Sequence, residues 1–97
     1  METLYEFKNS GDLTEVGYNI ATNILDIFNV RRLINNNLRI YLDLNKITIE
    51  LELPNYTLYT DILINDNIEI YKVTPDFTSC QDFINENNMY QYLISIL

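Results

Sequence analysis

The chain has 97 residues, 47% of them apolar, which suits one small hydrophobic core and excludes a disordered tail. Fourteen acids against six bases give a net charge of −8, and the absence of histidine excludes a histidine-based catalytic pair and the commonest metal ligand within the chain. No apolar run approaches the roughly 20 residues of a membrane-spanning helix, so we predict a single small domain over residues 1–97 with no membrane partner.

Cysteine and lysine usage adds two expectations. The single cysteine, Cys80, cannot form an intramolecular disulfide, and the acidic first residues lack the basic-then-apolar order of a secretion signal. Both features predict a cytoplasmic protein of a bacterial or other host cell. Abundant asparagine and isoleucine indicate an AT-rich genome, yet lysine occurs only three times. We therefore interpret the acidity as selected, with simple solubility as the alternative.

The N-terminal third predicts an amphipathic helix. Residues 4–7 suit a short edge strand, and the chain then breaks before Asp12. Asp12 followed by Glu15 resembles a capping box, in which an acid accepts from the first free amides of a helix. Apolar residues recur at three- and four-residue spacing from Leu13 to Phe28, which predicts a helix with one buried face. Asparagines 35–37 suit the end of that helix.

Residues 38–73 alternate between apolar and polar, which predicts a four-stranded antiparallel meander with one apolar face. Turns are expected at Asn45-Lys46, at residues 53–56 and at residues 65–67. These turns would keep all apolar residues on one face, because a one-residue slip would turn them outward. The resulting pairs are Leu42 with Ile49, Ile40 with Leu51, Leu51 with Leu58, Ile47 with Ile62, Ile64 with Ile68, and Ile62 with Ile70.

A second helix is expected after the sheet. Ser79 followed by Asp82 suits a helix cap, and apolar residues from Cys80 to Leu97 recur at helical spacing. The predicted fold is therefore α+β: a four-stranded antiparallel β-meander flanked by an N-terminal and a C-terminal α-helix, with a short N-terminal edge strand as an additional element.

The polar face of the predicted sheet is acidic and rich in tyrosine. Glu50 and Glu52 would project on the same side about 7 Å apart, a spacing comparable with neighbouring phosphates of a nucleic acid. Tyrosine is enriched at protein interfaces, although strands also favour it and an ordinary solvated face would look similar. The predicted partner-binding residues are Asp43, Glu50, Glu52, Asp61, Tyr41 and Tyr59. Apolar residues on the same face suggest self-association at Leu63, Tyr71 and Val73.

Other chemistry has little support in the sequence. No motif predicts a catalytic residue, a cofactor or a metal ligand, and the acidic segment 61–69 lacks the pattern of a calcium loop. Six scattered bases also argue against direct nucleic-acid binding.

Size, acidity and AT-rich composition are together similar to those of small acidic inhibitors from phages and mobile elements, including anti-CRISPR and DNA-mimic proteins. No motif carries this resemblance. It implies a non-enzymatic protein that inhibits or modulates a basic, nucleic-acid-binding protein partner by occlusion and electrostatic steering. Two alternatives remain open: a toxin-neutralising immunity protein, and a structural module that self-associates as a homodimer.

Overall fold

A computed structural model describes residues 2–34 and 37–97 of the protein. Two helices, α1 (Glu2–Ser10) and α2 (Glu15–Val30), precede a five-stranded antiparallel sheet, and α3 (Glu86–Ile96) follows it. The strands lie side by side in chain order as β1 (Leu38–Asp43), β2 (Lys46–Glu52), β3 (Thr57–Leu63), β4 (Ile68–Val73) and β5 (Thr78–Phe83). The predicted α+β meander with helices at both ends is confirmed, but it has five strands instead of four. Within the described ranges, no helix is long and apolar enough to cross a membrane.

The helices cover one face of the sheet, which we call the inner face. Its alternating aliphatic residues and those of the helices form a single buried cluster. One polar residue, Thr60, lies wholly buried on this face, and its hydroxyl has no hydrogen-bond partner within the described part of the chain. The aliphatic residues of this face that are 0–1% exposed are Ile47, Ile49, Leu51, Leu58, Ile62, Ile68 and Ile70.

Helix α2 approaches β3 closely because Gly17 has no side chain. A Cβ at Gly17 would lie 3.2 to 3.4 Å from side-chain atoms of Leu13, Thr14 and Ile62. Thr14 is the N-cap, since its hydroxyl accepts a hydrogen bond from the Gly17 amide. The predicted Asp12 cap is therefore wrong. The helix ends at Val30, and the predicted asparagine end falls partly on residues 35 and 36, outside the described residues.

The predicted N-terminal edge strand is wrong, because residues 4–7 belong to α1. Leu4 is fully buried and Phe7 packs against the same cluster. Their three-residue separation places both on one side of a helix, whereas in a strand they would face opposite sides.

One of the three predicted hairpin registers is correct. Leu51 pairs with Leu58 and Ile47 with Ile62, as expected. In the first hairpin the turn is Leu44-Asn45 and Leu42 pairs with Ile47, a shift of two residues. The third hairpin shifts by the same amount, so that Ile62 pairs with Ile68. A two-residue shift leaves every side chain on its predicted face, so the alternation could not exclude it.

The predicted helix start at Ser79 is also wrong, because residues 78–83 form the edge strand β5. The Thr74 hydroxyl donates to the Phe77 carbonyl and accepts from the Phe77 amide, which closes the turn before β5. Pairing with β5 satisfies backbone groups of β4 that a helix would have left free. Helix α3 begins only after Asn85, whose side-chain oxygen accepts from the amides of Asn87 and Asn88.

Candidate interaction surface

The sheet face turned away from the helices, which we call the outer face, contains all the predicted interface residues. The observed strand registers determine which of these residues lie in one row across the sheet. One row contains Arg39, Glu50, Tyr59, Tyr71 and Cys80, and the next contains Tyr41, Thr48, Asp61, Glu69 and Asp82. The face as a whole has six carboxylates, from Asp43, Glu50, Glu52, Asp61, Glu69 and Asp82, and two cations, from Arg39 and Lys46.

Asp61 lies at the centre of the outer face and is occupied by contacts within the protein. It is 4% exposed, and its carboxylate accepts a hydrogen bond from the Thr48 hydroxyl at 2.7 Å. Its other oxygen lies 2.9 Å from Nζ of Lys46. The hydrogen bond to Asp61 raises the pKa of Lys46, so this lysine stays charged throughout the physiological range. Asp61 and Lys46 therefore form a pair that supports the sheet.

Glu50 is held in a similar way. Glu50 is 9% exposed. The Tyr41 hydroxyl donates a hydrogen bond to Oε1 of Glu50 at 3.1 Å, and a guanidinium nitrogen of Arg39 lies 3.6 Å from Oε2 of Glu50. Burial and the hydrogen bond to Glu50 both raise the pKa of Tyr41. Arg39 makes this contact because it lies opposite Glu50 in the observed register. Glu50 therefore orients Tyr41 and is itself shielded from solvent.

The remaining outer-face acids carry the net negative charge of this surface. Asp43, Glu52 and Asp82 are exposed, and Glu69 is half-buried. None of the four has a cation within 4 Å among the residues that the structure describes. Because both cations of the face are already paired with buried acids, these four carboxylates are the charges available to a partner.

Tyr59 and Tyr71 lie opposite each other on neighbouring strands and are both half-buried. Cys80 follows Tyr71 across the next pair of strands and is exposed. Shielding of the thiol from water and the carboxylate of Asp82, whose Oδ1 lies 3.6 Å from Sγ, raise the pKa of Cys80. This part of the face therefore offers aromatic area beside a thiol that is mostly protonated at neutral pH.

The three predicted self-association residues do not form one patch. Val73 pairs with Thr57, which is six residues from Leu63 along β3. At about 3.4 Å per residue, Leu63 and Val73 are roughly 20 Å apart. Tyr71 lies two residues from Val73 on the same side of β4, so these two are neighbours and Leu63 is the distant member. Self-association through this set stays a prediction, but Leu63 would have to act separately from Tyr71 and Val73.

A feature that we did not anticipate lies at the end of the sheet that carries the β1–β2 and β3–β4 turns. Leu44 is 86% exposed and has a positive φ of 56°, although glycine is the residue favoured at this turn position. Ile64 is 50% and Leu42 43% exposed. We call Leu42, Leu44, Leu63 and Ile64 the aliphatic tip. The consecutive apolar residues 62–64 were its signal in the sequence, because a strand cannot bury all three on one face.

A groove of about 370 Å³ crosses the aliphatic tip, lined by Leu44, Asn45, Lys46, Leu63, Ile64, Asn65 and Glu69. A second hollow on the other side of Leu44 and Ile64 is bordered by Asp12. The tip is therefore a ridge of exposed aliphatic side chains with a carboxylate on each side.

No group of three or more acidic or cysteine side chains is arranged to hold a metal ion among the described residues. No family model, curated protein or solved structure matches the chain. The function of the protein must therefore be inferred from the geometry and charge of the outer face and the aliphatic tip.

Proposed function

We propose that the protein is a non-enzymatic binding protein that inhibits or modulates a basic, nucleic-acid-binding partner protein. The observation that supports this most is the separation of the outer-face acids into two groups. Glu50 and Asp61 hold Arg39 and Lys46, while other acids keep their negative charge facing outward. A protein that needed acids only to offset its cations would not require this excess.

The proposed mechanism is occlusion with electrostatic steering. The free carboxylates attract a cationic surface and speed its encounter, and this attraction weakens as salt screens it. The half-exposed rings of Tyr41 and Tyr59 then supply rigid, amphipathic contact area. In this scheme Glu50 contributes indirectly, by positioning Tyr41 through their hydrogen bond. The partner would lose access to nucleic acid because the same basic surface binds both.

The test is affinity capture from host lysate with two charge-matched variants. The outer-face variant combines Asp43→Asn, Glu52→Gln and Asp82→Asn. The control variant combines Glu6→Gln, Asp26→Asn and Asp76→Asn, which are also exposed but lie outside the outer face. Both variants change the net charge by the same amount, from −8 to −5. We expect the outer-face variant to lose a basic partner that the wild type and the control retain, and equal capture by all three would refute the proposal.

A further inference from the structure

A second part of the surface extends the proposed function. The aliphatic tip lies at one end of the sheet, with Glu69 beside its groove and Asp12 beside the hollow on its other side. Lys46 also borders the groove, but its ammonium group is already paired with Asp61. The charge available around the tip is therefore negative.

The opposite end of the molecule carries cations of its own. Lys72 lies there, with its ammonium 4.5 Å from the centroid of the Tyr56 ring, and the Tyr56 hydroxyl donates to the carbonyl of Ile96 near the end of α3. Arg31, at the end of α2, donates to the carbonyl of Ile94. The exposed acids Glu52 and Asp76 also lie at that end, so cations and acids are mixed there, whereas the lysine that lines the groove is already paired.

We infer that the groove of the aliphatic tip binds an apolar side chain of the partner protein, carried on a segment with arginine or lysine on both sides of it. This inference rests on the proposed function and names the contact by which the partner is held. An exposed leucine and isoleucine beside a groove supply the apolar contact, and isolated apolar anchors seated in pockets dominate many interfaces. Asp12 and Glu69, on the two sides of the ridge, match the cationic flanks of such a segment.

The inference can be tested by replacing Leu44 with glycine, because the backbone conformation at this position favours glycine. Leu44→Gly removes the most exposed aliphatic side chain of the tip and also removes the cost of a positive φ for leucine. The variant should therefore fold at least as well as the wild type, and any loss of binding cannot be attributed to unfolding. Val30→Ser serves as the control, since Val30 is 80% exposed at the far end of α2.

The probe is a library of random seven-residue peptides displayed on phage and selected on the wild-type protein, which is immobilised through its C-terminus, away from the tip. We expect enriched peptides to contain an apolar residue flanked by arginine or lysine. Synthetic versions should bind Leu44→Gly at least tenfold more weakly than the wild type and Val30→Ser equally well. Ile64→Ser should weaken the same peptides and provides a second variant at the groove.

Several results would overturn the inference: no enrichment, enrichment of peptides without basic residues, or equal binding to Leu44→Gly. Self-association of the wild type in sedimentation experiments, lost in Leu44→Gly, would show that a second copy occupies the groove. The proposed function fails separately, because its lysate test uses the outer-face variant, in which the four aliphatic residues of the tip and the flanking Asp12 and Glu69 are unaltered. If Leu44→Gly still captures the partner and the outer-face variant does not, the proposed function is supported and the groove does not bind the partner.

Discussion

Asp61 and Asp43 both carry a carboxylate on the outer face, yet their replacement by asparagine should have very different effects on stability. Asp61 is 4% exposed and pairs with Lys46 at 2.9 Å, whereas Asp43 is exposed and has no cation within 4 Å among the described residues. Asp61→Asn keeps an acceptor for the Thr48 hydroxyl but leaves the Lys46 ammonium without its counter-charge. Both variants change the net charge by one, so any difference reports the local contact.

The magnitude follows from the burial of the pair. Breaking a fully buried ion pair costs about 3–5 kcal/mol, and a hydrogen bond to a charged group is worth about 1.5–3 kcal/mol. The Lys46 side chain is 27% exposed, so water compensates part of the loss. We therefore expect Asp61→Asn to lower the free energy of unfolding by about 2 kcal/mol, which for a domain of this size lowers Tm by roughly 10 °C. Asp43→Asn should stay within about 0.5 kcal/mol of the wild type.

Urea denaturation followed by circular dichroism at pH 7 measures both differences. The pH dependence provides a second measurement. Because the pKa of Lys46 is raised in the folded state, its pairing contributes fully below the ordinary lysine pKa. This contribution disappears as pH rises through the raised pKa of Lys46. The difference in the free energy of unfolding between wild type and Asp61→Asn should therefore become smaller at strongly alkaline pH. Equal effects of Asp61→Asn and Asp43→Asn at pH 7 would refute the division of the acids into paired and available groups.

Three further predictions concern single positions. Thr60→Val should raise the free energy of unfolding by about 1 kcal/mol in urea denaturation, because the buried Thr60 hydroxyl has no partner among the described residues; a loss of stability would mean that the hydroxyl is hydrogen-bonded. Leu44→Gly should raise the free energy of unfolding slightly in the same assay. Relief of the positive φ at Leu44 stabilises the folded state by about 1–2 kcal/mol. The greater freedom of glycine in the unfolded chain offsets about 0.4–1 kcal/mol of this gain. A clear destabilisation would show that Leu44 makes contacts that stabilise the fold. Asp82→Asn should lower the pKa of Cys80, so alkylation by the neutral reagent iodoacetamide should become faster near pH 8, while Asp43→Asn leaves the rate unchanged. An unchanged rate in Asp82→Asn would show that this carboxylate does not act on the thiol.

The sequence was sufficient to predict the faces of the sheet and insufficient to fix two of its registers. Alternation identifies which side of a strand is buried, and the fully buried Ile49 and Ile70 were assigned correctly. A shift of two residues preserves that pattern, so only specific contacts decide it. The first hairpin is such a case: its observed register places Arg39 opposite Glu50, with which it pairs, and gives Leu44 a positive φ.

Edge and terminal segments were harder to predict, because their patterns are short and weak. Strand β5 has mostly exposed side chains, so its sequence shows little periodicity. Its position is determined by backbone pairing with β4, which the pattern of side chains does not reveal.

The candidate site could likewise be predicted only in part. The sequence predicted an acidic face with tyrosines, and the structure shows that Glu50 and Asp61 are already paired there. Such pairing depends on register and burial, which composition does not contain.

The most direct test of the central proposal is a competition experiment with the captured basic partner bound to a fluorescently labelled nucleic acid. We predict that the wild-type protein releases the nucleic acid, that added salt weakens this effect, and that the outer-face variant carrying Asp43→Asn, Glu52→Gln and Asp82→Asn releases far less. The control variant with three acids removed elsewhere should act like the wild type. A partner that binds the protein and the nucleic acid together, or equal release by the wild type and the outer-face variant, would contradict the proposal.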